Sequence, residues 1–279
     1  MLRRTALGAL AGAGVSRFLG PARGTVVLMD FRTRRVIVSE HPEMAGSWLL
    51  PPGSTLKPFS MLALMDAGKL AVADVWPCPG KLTIAGRSLA CSHPPVGAPM
   101  RISTALAYSC NCFVAHFASR FEAGELARQL ERAGMASRTR LLRSEEAAGR
   151  VEIAGTADAS RLQALGESGI LVTPVEMLMA YHRLAARATD EKLTPIIEGL
   201  EGAVEYGTAQ QASVEGVKVA GKTGSVTTGE GMRAAWFAGF APARAPEVVV
   251  TSVVQGRSGG ADAAPIAGRL LEAHFAGRR

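Results

Sequence analysis

The sequence predicts an α/β (α+β) fold: a central antiparallel five-stranded sheet flanked by helices, with a helical stretch inserted between its strands. Two observations carry this. Apolar, β-branched runs cluster at both ends of the chain, at 24–29, 35–39, 218–226, 233–240 and 248–255. Helical patterning with its start and stop residues fills much of the middle, from about 51 to 186. Composition agrees. Of 279 residues, 48% are hydrophobic and 20% charged, enough to fill a large core without cross-links and too apolar for a disordered chain. No run reaches 18 consecutive apolar residues, which excludes a multi-spanning membrane protein. The formal charge of +7 permits an anionic partner, but aromatics at 5% argue against a base-stacking one, and no nucleic acid is expected.

The elements follow in order. Arg3 and Arg4 precede an uncharged stretch at 5–15, the layout of an export signal or N-terminal anchor over 1–20. The paired arginines point to the twin-arginine type. The expected location is therefore the periplasm or the outer face of the cytoplasmic membrane. The folded part, 21–279, is expected as one unit with two lobes: a sheet lobe at about 21–50 and 165–279, and a helical lobe at about 51–164. A hairpin covers 24–39 around a polar turn at 30–34. Pro51-Pro52-Gly53 stops the chain before a helix at 55–67. Further helices are expected at 103–120 and 124–133, and the charged segment 138–150 reads as a solvated loop. Thr173, Pro174 and Glu176 form a capping box with proline at the first position, opening a helix to about 186. The last three strands, with turns at 227–232 and 241–246, lead to a closing helix at 262–275.

Four cysteines bear on the compartment. Cys78 and Cys91 flank a short hairpin with a Gly86 turn, so its ends should meet. A disulfide there would contribute about 3 kcal/mol and suit an oxidising compartment; two reduced thiols are the alternative. Cys110 and Cys112 are too close in sequence to bridge each other comfortably and read as small buried hydrophobes. A zinc site joining these cysteines to His93 or His116 lacks the usual paired short spacings, so neither metal nor cofactor is expected. His41, His182 and His274 read, like the other two histidines, as surface or packing residues.

Three short motifs carry chemistry: Ser54-Thr55-Leu56-Lys57, Ser109-Cys110-Asn111 and Lys222-Thr223-Gly224. Each alone is weak, but their joint occurrence by chance is on the order of one in a thousand. Asn111 is the only asparagine in the chain. Ser54 opens a helix, where amide groups and dipole favour developing negative charge. Lys57 lies one turn on, on the same face, and burial would make its amine a competent base for the Ser54 hydroxyl. Ser109 can relay a proton, and Asn111 can hold a substrate peptide bond. The third motif sits on a strand whose edge can bind an extended peptide, with Lys222 and Thr223 meeting a terminal carboxylate.

At these residues the chain resembles the penicillin-binding protein and serine β-lactamase superfamily, most closely the penicillin-binding transpeptidase domain. Supporting likenesses are Thr173-Pro174, Gly207-Thr208-Ala209, the segment from Ala235 to Pro242, and the stretch from Cys78 to Cys91. Coverage runs from about 24 to 275. The resemblance implies a β-lactamase/transpeptidase-like fold with an all-helical lobe. Ser54 would be the acylated nucleophile, Lys57 its base and Ser109 the relay. Asn111, Lys222, Thr223, Gly224 and Ser225 would bind substrate, with the Ser54 and Ser225 amides as oxyanion hole. Expected partners are peptidoglycan stem peptides ending in D-Ala-D-Ala, β-lactam antibiotics and other cell-wall synthesis proteins. Ser225 stands where threonine is commoner in the family.

The expected activity is a serine DD-transpeptidase working through an acyl-enzyme. Transfer to water, a DD-carboxypeptidase, is the nearest alternative. A β-lactamase of class A would need a Glu in an E-x-x-L-N loop, which a chain with one asparagine at position 111 does not have. A non-catalytic module binding β-lactams or muropeptides is the alternative of a different class, disfavoured by the complete set of Ser54, Lys57, Ser109 and Lys222.

Overall fold

The computed structural model describes residues 17–143 and 145–276. The expected export signal lies outside the described residues except for 17–20, and those four belong to the folded body. Phe18 and Leu19 are buried. Their amides each donate to the Glu40 carboxylate at 3.0 Å, and Arg269 donates to the Phe18 carbonyl at 2.7 Å. Phe18 and Leu19 pack with Val26 and Leu270, although two apolar residues beside a glycine give the sequence no signal of packing.

The N-terminal hairpin is formed by β1 (Gly24–Asp30) and β2 (Val36–Glu40), and α1 (Pro42–Ser47) follows. A 3-10 turn at Gly53–Leu56 leads into α2 (Lys57–Asp66). Then come the small hairpin β3 (Lys81–Ile84) and β4 (Arg87–Ala90), and the helices α3 (Ile102–Ala107), α4 (Asn111–Ala118) and α5 (Glu125–Arg132). The two-residue strands β5 (Arg150–Val151) and β6 (Ile170–Leu171) bracket α6 (Ala157–Ala164). Helices α7 (Pro174–Ala185) and α8 (Thr194–Glu205) precede β7 (Ala220–Thr227), β8 (Arg233–Ala241), β9 (Val248–Gln255) and α9 (Ala264–Ala276). The main sheet is antiparallel, in the order β2-β1-β9-β8-β7, so strands from both ends of the chain meet at its centre.

Helices cover both faces of this sheet, which is why β1 is apolar on both sides. Val27 and Met29 join Leu178 and Tyr181 of α7 in one core. Val26 and Leu28 join Leu270 and Leu271 of α9 in the other. The capping box of α7 forms as its sequence requires. Glu176 N donates to Thr173 Oγ1 at 3.2 Å, and Thr173 N donates back to Glu176 Oε2 at 2.8 Å.

Three expectations are corrected. The single helix expected at 103–120 is two, α3 and α4, broken at Ser109, whose φ is +57°. The loop at 138–150 is not simply solvated. Glu146 is buried within it and accepts hydrogen bonds from Thr139 Oγ1, Arg140 N and Leu142 N at 2.7–2.9 Å. Helix α8 was not expected, because Gly199 and Gly202 weaken its propensity. Gly199 is needed there: a Cβ would sit 2.6 Å from the Leu106 side chain on α3.

Candidate active site

The turn that carries Ser54 is pressed against β7 by two glycines. Gly53 has φ +54°, and a Cβ on it would lie 2.5 Å from Val226 Cγ1. A Cβ on Gly224 would lie 2.8 Å from the Pro52 carbonyl. No other residue permits this approach without displacing the turn. The turn is anchored from its buried side as well. Gly53 N donates to Gly166 O at 3.0 Å, Thr55 Oγ1 to Pro52 O at 2.6 Å, and Tyr181 OH to Thr55 O at 2.9 Å. Ser54 itself stays partly exposed while Thr55, Leu56 and Lys57 are buried.

Lys57 begins α2 and is fully buried. Its Nζ donates to Ser109 O at 2.7 Å, Asn111 Oδ1 at 2.6 Å and Ser109 Oγ at 3.2 Å. Burial pulls its pKa from 10.5 to about 8, against the opposing pull of the neighbouring thiols and of the Glu167 carboxylate. The first and second motifs thus meet through one amine. The break between α3 and α4 makes this contact: it turns the Ser109 carbonyl and hydroxyl and the Asn111 amide toward a single point. Asn111 was expected to face substrate. Its Oδ1 is engaged by Lys57, and its Nδ2 donates to Ala90 O at 3.0 Å.

The third motif lies on β7, the last strand of the main sheet. Thr223 Oγ1 donates to Thr208 Oγ1 at 2.8 Å, and Gly259 N donates to Ser225 Oγ at 3.0 Å. Lys222 was expected to meet a carboxylate directly, but its side chain is fully buried and its Nζ donates to Thr223 O at 3.2 Å. Burial, aided by the charge of Lys57, holds the Lys222 pKa well below 10.5. Thr223 is nearly buried and Ser225 exposed, so the motif offers a graded polar edge.

Sequence reasoning gave no role to Tyr181 or Glu167, and knew Thr208 only as part of a supporting likeness. Thr208 ties the second and third motifs together, since its amide donates to Ala107 O at 3.2 Å, beside the break at Ser109. Tyr206, exposed, and Tyr108 have ring centroids 5.6 Å apart and form an aromatic pair next to Ser109 and Thr208.

The cysteines give the largest departure. The ends of the Cys78–Cys91 hairpin meet as expected, with Cys91 N donating to Gly80 O at 2.8 Å, but the sulfurs are free thiols 3.6 Å apart. Cys110 and Cys112 are not mere packing residues: their sulfurs reach the same point, 3.4 Å from Cys78 and 3.5 Å from Cys91 respectively. Cys78 Sγ, Cys91 Sγ, Cys110 Sγ and a ring nitrogen of His93 all lie within 4.8 Å of one another. Hydrogen bonds from Cys110 above all hold the Cys91 thiol down at about 4, and the same contact pushes Cys110 up. The spacing along the chain hides this quartet, because its members come from a hairpin, a loop and a helix start.

The fold is thus an antiparallel sheet covered on both faces, with the Ser54 turn set against its last strand. The penicillin-binding protein transpeptidase domain matches this chain over residues 24–272, and the chain belongs to that family. Among curated proteins it is similar to the peptidoglycan D,D-transpeptidase PbpA of Mycobacterium tuberculosis, 24% identical over 92% of this chain and 68% of the relative. The transpeptidase domain of Burkholderia pseudomallei penicillin-binding protein 3 superposes with a TM-score of 0.81 at 19% identity, over 92% of this chain and 89% of that one. The ceftriaxone acyl-enzyme of M. tuberculosis penicillin-binding protein A superposes with a TM-score of 0.78 at 23% identity, over 92% and 75%. At these identities the two solved structures speak for the fold.

Proposed function

We propose that this chain is a serine DD-transpeptidase acting on the D-Ala-D-Ala ends of peptidoglycan stem peptides. The observation that carries the reading is the fully buried Lys57 amine, one turn after Ser54 in the chain and held by Ser109 and Asn111. Neutral Lys57 takes the proton of the Ser54 hydroxyl as its oxygen attacks the penultimate D-alanine carbonyl. The amides of Ser54 and Ser225 receive the oxyanion. Ser109, 3.2 Å from the same amine, passes that proton to the departing amine, which leaves as D-alanine. An acceptor amine then attacks the ester, restores the Ser54 hydroxyl and completes the cross-link. The substrate runs antiparallel along β7, and Thr223 and Ser225 hold its carboxylate above the buried Lys222 amine. A β-lactam would acylate Ser54 by the same attack.

Penicillin-binding transpeptidase domains act on peptidoglycan outside the cytoplasm, and export directed by residues 1–20 is part of this proposal. No helix among the described residues is long and apolar enough to cross a membrane. The test is intact mass with benzylpenicillin on protein retaining residues from 17 onward, beside Ser54→Ala. A persistent one-to-one adduct in the first and none in the second supports the reading. Rapid drug loss through a fleeting adduct would make the chain a β-lactamase, and no adduct would make it a binding module.

A further inference from the structure

We infer that Cys78, Cys91, Cys110 and His93 form a site for one zinc-class divalent cation, a three-thiolate, one-imidazole centre clamping the β3–β4 hairpin to the residue between Ser109 and Asn111. Zinc takes thiolates at about 2.3 Å and imidazole nitrogen at about 2.0–2.1 Å, tetrahedrally. A tetrahedron of those bonds has sulfur–sulfur edges of about 3.8 Å and sulfur–nitrogen edges of about 3.6 Å. The three sulfur pairs are 3.6 Å (Cys78–Cys91), 3.4 Å (Cys78–Cys110) and 3.8 Å (Cys91–Cys110) apart. Cys78 Sγ lies 3.6 Å from His93 Nε2. A disulfide would draw one pair to about 2.05 Å and leave the third sulfur and the imidazole without purpose.

The surroundings are built for ligands. His93 Nδ1 lies 2.8 Å from the Pro94 carbonyl, which fixes the proton on Nδ1 and turns the Nε2 lone pair toward Cys78. Gly80 N donates to Cys78 Sγ at 3.3 Å, from a Cys-Pro-Gly turn that Gly80 closes with φ +79°. Phe113 N donates to Cys110 Sγ at 3.4 Å, where Cys110 caps α4. Amide–sulfur bonds of this kind orient a ligand and favour its thiolate form. Thiolates with imidazole select a soft divalent ion over calcium or magnesium. Cys112 Sγ, 3.5 Å from Cys91 Sγ, is a hydrogen-bonding neighbour of the centre rather than one of its four ligands.

The placement gives the cation work beyond stability. Ser109 holds φ +57°, a conformation costly for a residue with a side chain, and the next residue is a ligand. A cation on Cys110 fixes the break between α3 and α4 and thereby the two groups that engage Lys57. This last effect rests on the proposed acyl transfer, whereas cation binding does not.

The experiment uses the reduced full chain, with Cys78→Ser and His93→Ala beside it. Metal analysis of the wild type should give one zinc per chain. Replacement by cobalt(II) should give intense tetrahedral visible bands and a near-ultraviolet thiolate-to-cobalt band. Each variant should lose zinc affinity by at least about tenfold. Zinc removal should slow benzylpenicillin acylation of Ser54 and zinc return should restore it. Cobalt bands without the thiolate transition, or unchanged zinc affinity in His93→Ala, would overturn the site. So would a wild type free of metal whose mass is two hydrogens low, with two titratable thiols in place of four. Tight zinc binding in a protein that never acylates would keep the site and sink only the acyl-transfer reading.

Discussion

Raising the pH from about 7 to about 9 should speed acylation of Ser54 by about tenfold. In the proposed reaction Lys57 acts as base only when neutral, and its burial places the loss of its proton at about 8 rather than 10.5. About one molecule in eleven then carries the neutral amine a pH unit below the midpoint, and about ten in eleven a unit above it. A solvated lysine would be neutral in only about one molecule in three thousand at pH 7, so burial raises the supply of base about 300-fold. The assay is stopped-flow acylation by a fluorescent penicillin in single turnover, which isolates this step from deacylation. Glu167→Gln should move the midpoint down, because the Glu167 charge favours the ammonium form. Lys57→Met should abolish the pH dependence and slow acylation by about 10²–10⁴-fold. The same depressed value makes the folded chain hold fewer protons than the unfolded one between about 8 and 10.5. Stability therefore rises with pH through that window, by up to about 3 kcal/mol, and Lys57→Met lacks this rise. A flat rate profile, or an upward shift in Glu167→Gln, would refute the role of Lys57.

Gly224→Ala should slow acylation by up to about 100-fold with little loss of fold, because its methyl meets the Pro52 carbonyl at 2.8 Å and displaces the Ser54 turn; parallel acylation and melting measurements check this. Tyr181→Phe leaves the buried Thr55 carbonyl without its donor and should cost about 1–3 kcal/mol in denaturant unfolding. Burial raises the Glu146 pKa, but hydrogen bonds from Leu142, Arg140 and Thr139 outweigh it and hold the value below 4.5. Its stabilisation is thus full at neutral pH and lost as pH falls through the lowered value. Glu146→Gln should melt lower at neutral pH and lose less on acidification.

What the sequence revealed depended on whether local chemistry decided the outcome. The run Val-Val-Val-Thr-Ser-Val-Val-Gln at 248–255 is β9 to the residue, since a strand buried on both faces leaves a continuous apolar signature. Thr173 and Glu176 announced their helix because a capping box is local. The motif spacings marked Lys57, Ser109 and Asn111, which the fold gathers around one amine. The break at Ser109 left no such mark, because helical periodicity runs on through 102–118 and distant groups, Lys57 on the Ser109 carbonyl and Thr208 on the Ala107 carbonyl, stabilise the interruption. The burial of Lys222 was hidden because a motif names a residue and not the side of the strand it occupies. The quartet of three thiols and one imidazole was hidden because 32 positions separate Cys78 from Cys110 and only the fold cancels that distance.

The pairing of β1 with β9 joins residues about 220 positions apart. During synthesis at about 5–20 residues per second, β1 waits some 10–45 s for its central partner. For that interval Thr-Val-Val-Leu-Met is an apolar segment of high strand propensity with one edge unpaired, which invites pairing with other nascent chains. Arg23 and Asp30 flank the segment, and Arg32, Arg34 and Arg35 follow in the turn. Charges in these positions act as gatekeepers against misassembly. Part of the net positive charge is thus placed for the unfinished chain, where it keeps the first strand apart from its neighbours until the last strand arrives.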